Sequence, residues 1–143
     1  MFDSQKKYVD QQGDRARVVS ALPWVARLGL FAGAVLAVVI AYLTLTPVPE
    51  AAELEFRGID KIYHMIAFAA LVFPVIATGP HRWIWMVPLA IAFGGAIELI
   101  QPYFDREANW LDFVANGVGV AIGVWSGRVA HRWLEAWIAR PRP

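Results

Sequence analysis

Polar and charged side chains occur at three places in this chain where the surrounding sequence is strongly apolar. They include carboxylates, amides, an imidazole, an ammonium group and a guanidinium: Asp60, Lys61, His64, Glu98, Gln101, Arg106, Asp112 and Asn116. Groups of these types can transfer protons, coordinate a hard cation or bind a charged headgroup. Each of these uses requires that side chains from all three places meet in the fold.

The spacing of these residues indicates helices. Residues three or four apart are neighbours on one face of an α-helix. Three pairs have that spacing: Asp60 and His64, Glu98 and Gln101, and Asp112 and Asn116. The sequence therefore predicts three helices, each with a polar patch near one end.

The composition of the 143-residue chain is that of a membrane protein. Hydrophobic residues make up 58%, the mean hydropathy is +0.46 and there are seven Trp. A helix needs roughly 20 residues to cross a bilayer. Four apolar stretches reach or approach that length, at residues 28–46, 62–80, 83–97 and 113–127. We predict an all-α, polytopic membrane protein built as a four-transmembrane-helix bundle.

The chain divides into one membrane domain and two tails. We predict a cytoplasmic N-terminal tail at residues 1–23, a four-helix transmembrane domain at 24–130 and a basic, Trp-rich cytoplasmic C-terminal tail at 131–143. No cysteine is present, which excludes disulfides, thiolate metal sites and cysteine nucleophiles. The formal net charge of +1 gives no indication of nucleic-acid binding.

Lysine and arginine are distributed unevenly around the four stretches. Ten of the 13 lie before the first stretch, between the second and third, or after the fourth. The positive-inside rule then places both termini in the cytoplasm, an N-in/C-in topology. With this topology the three polar patches share the outer face, where His64 and Asn116 lie roughly 7–9 Å inside their spans at 1.5 Å per residue. A buried polar pocket at that face is the expectation.

Taken singly, these residues have structural explanations. Asp112 could cap a helix, His64 could form an interhelical hydrogen bond, and Asn116 could hold two helices together. Glycines at intervals of four predict close packing against another helix: Gly119, Gly123 and Gly127. The functional interpretation rests on the combination, because so many polar groups at one depth exceed what helix packing needs.

The pocket also needs a cation between its carboxylates, which would otherwise repel one another in a medium that screens poorly. Arg106 lies in the connection between two helices and has a long, flexible stem. We expect it to fold back and pair with Glu98 or Asp112, with His64 and Asn116 bonded to the same network.

Three segments, "DKIYH" at 60–64, "ELIQ" at 98–101 and "REANWLDFVANGVG" at 106–119, together resemble the VanZ-like family of small bacterial membrane proteins. The resemblance covers roughly residues 40–127, with Asp105 standing where many members have glycine. It implies a multi-pass protein of the bacterial cytoplasmic (inner) membrane, tied to the cell envelope and to glycopeptide (teicoplanin) resistance. No reaction follows from it. The matching residues are Asp60, Lys61, His64, Glu98, Gln101, Arg106, Asp112, Asn116 and Gly119.

Three classes of function stay open. In the first, the pocket binds or handles an envelope lipid or other amphiphile, with Lys61 and Arg106 on an anionic headgroup. In the second, the chain is an accessory or structural subunit of a larger membrane complex or a homo-oligomer, and the glycine face is its docking surface. An open cleft would favour the first class, and a cluster sealed by protein would favour the second.

The third class is a membrane-embedded enzyme acting on a lipid-linked substrate. His64 with Glu98 or Asp112 could serve as general acid or base. No nucleophile is evident beside them, so we expect a protein that is not an enzyme. A divalent cation could sit among Asp60, Glu98, Asp112 and His64, although the sequence alone predicts no cofactor.

Overall fold

Residues 23–47 and 58–138 are described by a computed structural model, and they form four long helices joined by short connections. No strand occurs within these two ranges. The helices are α1 (Pro23–Leu45), α2 (Ile59–Ala77), α3 (Trp83–Ile100) and α4 (Trp110–Ile138), with single 3₁₀ turns at Pro80–Arg82 and Gln101–Phe104. The predicted all-α architecture is confirmed.

Each of the four helices is long and apolar enough to cross a membrane. Large apolar side chains cover the outside of the bundle, and Phe31, Val38 and Trp125 are all more than two-thirds exposed. Such a surface suits contact with lipid, since lipid chains are as apolar as the side chains themselves. Length and composition thus support the predicted multi-pass membrane protein.

The helix ends follow from local sequence. Before α2, Gly58 adopts a left-handed φ of 107°, and Asp60 Oδ1 accepts hydrogen bonds from the backbone N–H groups of Gly58 and Lys61 at 2.9 Å each. Between α3 and α4, Asp105 has φ 54° and ψ 38°, also left-handed. Glycine adopts that conformation most readily and aspartate tolerates it. Aspartate in place of the glycine of the VanZ-like pattern is therefore compatible with this turn.

α2 is the central helix of the bundle and packs against the other three. Its Phe68, Val72 and Ile76 have no exposed surface. The other helices each contribute buried residues to the same core, among them Ile40, Ala90, Ile97 and Val120. Burial of these side chains fixes where the ends of the helices lie relative to one another.

The closest packing is between α2 and α4, which run parallel with the three predicted glycines at the contact. A methyl group added at Gly123 would lie 2.6 Å from the carbonyl oxygen of Ala69, and one at Gly127 would lie 3.0 Å from that of Phe73. Gly119 meets the carbonyl of Met65 in the same way. We call this contact the α2–α4 seam; only residues without a Cβ allow two backbones to approach so closely.

α1 packs on α2 through glycines of its own. Gly29 lies against Pro74 and Thr78, and a methyl at Gly33 would be 2.8 Å from Val75 Cγ2. Arg82, in the α2–α3 connection, donates from Nη1 to the carbonyl of Ala26 at 3.1 Å. This bond fastens the start of α1 to the rest of the bundle.

α4 continues to Ile138 without a break, well past the end predicted for the fourth span. His131 is buried, and its Nδ1 lies 2.8 Å from the carbonyl oxygen of Ala77 at the end of α2. The domain boundary predicted at residue 130 is therefore not a helix end. Residues 1–22 of the predicted N-terminal tail and 139–143 of the C-terminal tail lie outside the described residues.

Candidate functional site

The three polar patches meet at one end of the bundle, where α2 begins, α3 ends and α4 begins. We call the resulting group the polar layer. Five of its side chains are buried, and three form a half-buried rim. The buried members are His64, Glu98, Gln101, Asp112 and Asn116, and the rim is Asp60, Lys61 and Arg106. The helices therefore place all eight candidate residues at the same end.

At the centre of the polar layer, α2 and α4 are joined by a hydrogen bond between His64 Nδ1 and Asn116 Oδ1, 3.0 Å apart. In the tautomer that carries its proton on Nδ1, His64 donates to this oxygen and Nε2 keeps a lone pair. Gly94 of α3 makes room for the amide, since a methyl there would lie 3.0 Å from Asn116 Nδ2. This amide nitrogen is buried and has no hydrogen-bond partner among the described residues.

Glu98 lies at the last turn of α3, close to both of the other helices. Its Oε2 accepts a 2.9 Å hydrogen bond from the backbone N–H of Asn109, in the connection to α4. Its Oε1 is buried and makes no hydrogen bond within the described part of the chain. A carboxylate oxygen left in this state is costly, because burial removes its water without providing a substitute.

Lys61 supplies the positive charge beside Asp112. Its Nζ lies 3.0 Å from Asp112 Oδ1 and 3.2 Å from Asp60 Oδ2, so one ammonium group serves two carboxylates. Asp112 is the buried partner and Asp60 the half-exposed one. The ion pairs join the rim to the buried part of the layer.

The sequence predicts that Arg106 pairs with Glu98 or Asp112, whereas the cation that lies beside Asp112 is Lys61, 3.0 Å away. Arg106 Nη1 donates to the carbonyl of Thr46, just beyond the end of α1, at 3.5 Å. Lys61 is better placed because it begins on α2, the helix beside Asp112, whereas Arg106 lies in the connection between α3 and α4. Arg106 therefore connects the layer to α1.

Gln101 also binds the end of α1, with Nε2 donating to the carbonyl of Thr44 at 3.3 Å. Its Oε1 is buried without a hydrogen-bond partner among the described residues. The eight candidates thus fall into two groups by position. Gln101 and Arg106 hold α1, while the rest form one cluster between α2, α3 and α4.

Within that cluster, three side chains could coordinate a metal ion together. A ring nitrogen of His64 and carboxylate oxygens of Glu98 and Asp112 all lie within 4.8 Å of one another. Asp60, which the sequence also suggests as a cation ligand, is not one of this group and pairs with Lys61. The arrangement can bind a cation, accept hydrogen bonds from a ligand or exchange protons.

Three contributors were not predicted from the sequence. Asn109 orients Glu98 and starts α4, where its Oδ1 accepts from the backbone N–H of Leu111 at 3.0 Å. An asparagine three residues before an acidic residue is a recognisable helix-start pattern, so this residue could have been found. The carbonyls of Thr44 and Thr46 left no such signal, because backbone acceptors are present at every position.

No protein-family description, curated protein or solved structure matches this chain. The resemblance to the VanZ-like family therefore stays an expectation carried by the three sequence segments.

Proposed function

We propose that this chain is a VanZ-like membrane protein whose polar layer binds the headgroup of an envelope lipid or other amphiphile. One observation carries the proposal: three buried polar atoms in the layer have neither a hydrogen-bond partner nor an ion-pair partner among the described residues. They are Glu98 Oε1, Gln101 Oε1 and Asn116 Nδ2. Leaving such groups unpaired costs about 1–3 kcal/mol each, and a polar ligand entering the layer would recover that energy.

The charges of the layer suit a headgroup with two parts. Lys61 and Arg106 stand at the half-buried rim, where they could bind a phosphate or carboxylate. Glu98 and Gln101 lie deeper and offer oxygen acceptors to an amine or hydroxyl. The apolar outside of the helices would contact the tail of the amphiphile. A zwitterionic or hydroxylated headgroup fits this arrangement, with its anionic part at the rim and its amine or hydroxyl deeper in the layer.

A second candidate is an accessory subunit of a larger membrane complex. The His64–Asn116 bond favours it, because this buried contact ties α2 to α4 as an internal clasp would. In that case the polar layer needs no ligand. The two candidates differ in whether an amphiphile remains with the purified protein.

Mass spectrometry of the protein purified in native lipid nanodiscs tests the proposal. We expect the wild type to retain one class of amphiphile that Glu98→Gln and Lys61→Gln lose. Asp105→Asn is the matched control, since Asp105 is an exposed acid in the neighbouring turn. Equal retention by all four proteins would contradict a headgroup site in the polar layer.

For orientation, we propose that both termini and the α2–α3 connection face the cytoplasm of a bacterial cell and that the polar layer faces outward. The distribution of Lys and Arg supports this topology. Single cysteines introduced at Asp105 and at Glu53, which lies outside the described residues, should react with an impermeant thiol reagent in intact cells. Cysteines at His81 and Ser4 should react only after lysis, and the reverse pattern would overturn the orientation.

A further inference from the structure

We infer that His64, Glu98 and Asp112 form a binding site for a divalent transition-metal ion, Zn²⁺ or Mn²⁺, held by one imidazole nitrogen and two carboxylate oxygens. The site goes beyond the proposed headgroup binding, because it requires no lipid. Its three ligands come from three different helices, so a bound ion would fasten α2, α3 and α4 at one point.

The distances in the cluster suit a shared ion. The three candidate ligand atoms lie within 4.8 Å of one another. Bonds from Zn²⁺ to nitrogen or oxygen are about 2.0–2.2 Å long, so two atoms bound to one ion lie at most about 4.4 Å apart. Small side-chain movements would therefore close the site, without a rearrangement of the helices.

Each ligand already has a neighbour that orients it. The His64 Nδ1–Asn116 bond holds the imidazole ring in place, and the Asn109 N–H holds one oxygen of Glu98. Lys61 holds one oxygen of Asp112. Metal-binding histidines and carboxylates commonly carry outer partners of this kind, which fix the tautomer and the direction of the ligand.

The buried and unpartnered Oε1 of Glu98 is an independent indication of a missing cation. The cluster holds three carboxylates, of Asp60, Glu98 and Asp112, and the single ammonium group of Lys61, an excess of two negative charges when the carboxylates are ionised. One divalent ion cancels them. Charges in an environment that screens poorly are expected to be compensated, and here a metal ion does so with groups that are already aimed at one another.

The ligand types select the class of metal. The imidazole suits Zn²⁺ and the two carboxylates suit Mn²⁺, whereas Ca²⁺ prefers six to eight oxygen ligands and Mg²⁺ keeps most of its water. Three protein ligands leave coordination positions open. In the metal-bound protein, water would fill these positions while no lipid is present, and an anionic headgroup could replace that water.

Metal titration of untagged protein in detergent, stripped with EDTA, tests this site. We expect one Zn²⁺ or Mn²⁺ per chain by calorimetry, with Ca²⁺ and Mg²⁺ bound at least tenfold more weakly. His64→Gln and Glu98→Gln should each weaken binding at least tenfold, and Asp105→Asn should leave it unchanged. Absence of stoichiometric binding by the wild type, or binding unaffected by both substitutions, would overturn the inference.

A spectroscopic measurement on the wild type removes any dependence on whether the variants fold. Bound Mn²⁺ should show electron spin echo modulation from one imidazole nitrogen, and binding without that modulation would contradict the assigned ligands. The metal is titrated without lipid, so a protein that binds no metal would contradict the metal site and leave the headgroup proposal untouched. Loss of selective amphiphile retention with intact metal binding would instead overturn the headgroup proposal only.

Discussion

Gly123→Ala should separate α2 from α4 and destabilise the bundle by about 1–3 kcal/mol, the usual cost of overpacking a tight contact. The new methyl group would lie 2.6 Å from the carbonyl oxygen of Ala69 and 3.0 Å from Val72 Cβ. Neither the backbone carbonyl nor a β-branched side chain can move aside locally, so the two helices must shift apart. The free energy of unfolding in mixed SDS micelles measures the effect.

Gly117→Ala on the same helix is the matched control. A methyl at Gly117 would meet only Ile91 Cδ1, at 3.8 Å, which is ordinary van der Waals contact. Since alanine favours helix over glycine by up to about 1 kcal/mol, this variant should be neutral or slightly stabilised. Equal losses at Gly117 and Gly123 would show that the α2–α4 seam does not depend on its glycines.

Lys61→Met should destabilise the protein, by less than the about 3–5 kcal/mol typical of a fully buried ion pair, because Lys61 itself lies on the half-buried rim. The substitution keeps the apolar stem and removes the ammonium group 3.0 Å from Asp112. Asp112 is 6% exposed, so water cannot replace the lost partner. The measurement is again the free energy of unfolding, with EDTA present so that no metal ion compensates.

A double substitution identifies the partner. Asp112→Asn removes the stranded charge and should restore much of the stability lost in Lys61→Met. The same change should not rescue Arg106→Met, because the ammonium group 3.0 Å from Asp112 belongs to Lys61. Rescue of Arg106→Met and not of Lys61→Met would return Arg106 to the position predicted for it from the sequence.

The sequence could not predict whether Lys61 or Arg106 would lie beside Asp112. Hydropathy predicted the four helices, and three- or four-residue spacing predicted which polar groups share a face, because both depend on local geometry. The choice between two cations depends instead on which helix packs beside Asp112. That contact is set by the α2–α4 seam. Its glycines predict close packing against a helix, but the sequence does not show which helix that is.

His131 was missed for a related reason. The fourth apolar stretch ends just before Arg128, so hydropathy assigned the residues from 131 onward to a tail. Yet position 131 continues the four-residue interval of Gly119, Gly123 and Gly127, and its side chain meets the end of α2. The four-residue packing interval of α4 continues beyond its apolar stretch, because a helix can extend past the part of it that is hydrophobic.

The α2–α4 seam is fastened along its whole length, from the His64–Asn116 bond at one end to the His131–Ala77 bond at the other. With glycines in tight contact between these two points, the pair should behave as a single rigid frame. Any change of shape must then come from α1 or α3.

Of these two helices, α3 matters most for the polar layer. It brings Glu98 to His64 and Asp112, and it packs around Asn116 at Gly94. A tilt of α3 would withdraw Glu98, whose Oε1 has no hydrogen-bond partner among the described residues, while α2 and α4 stayed in place.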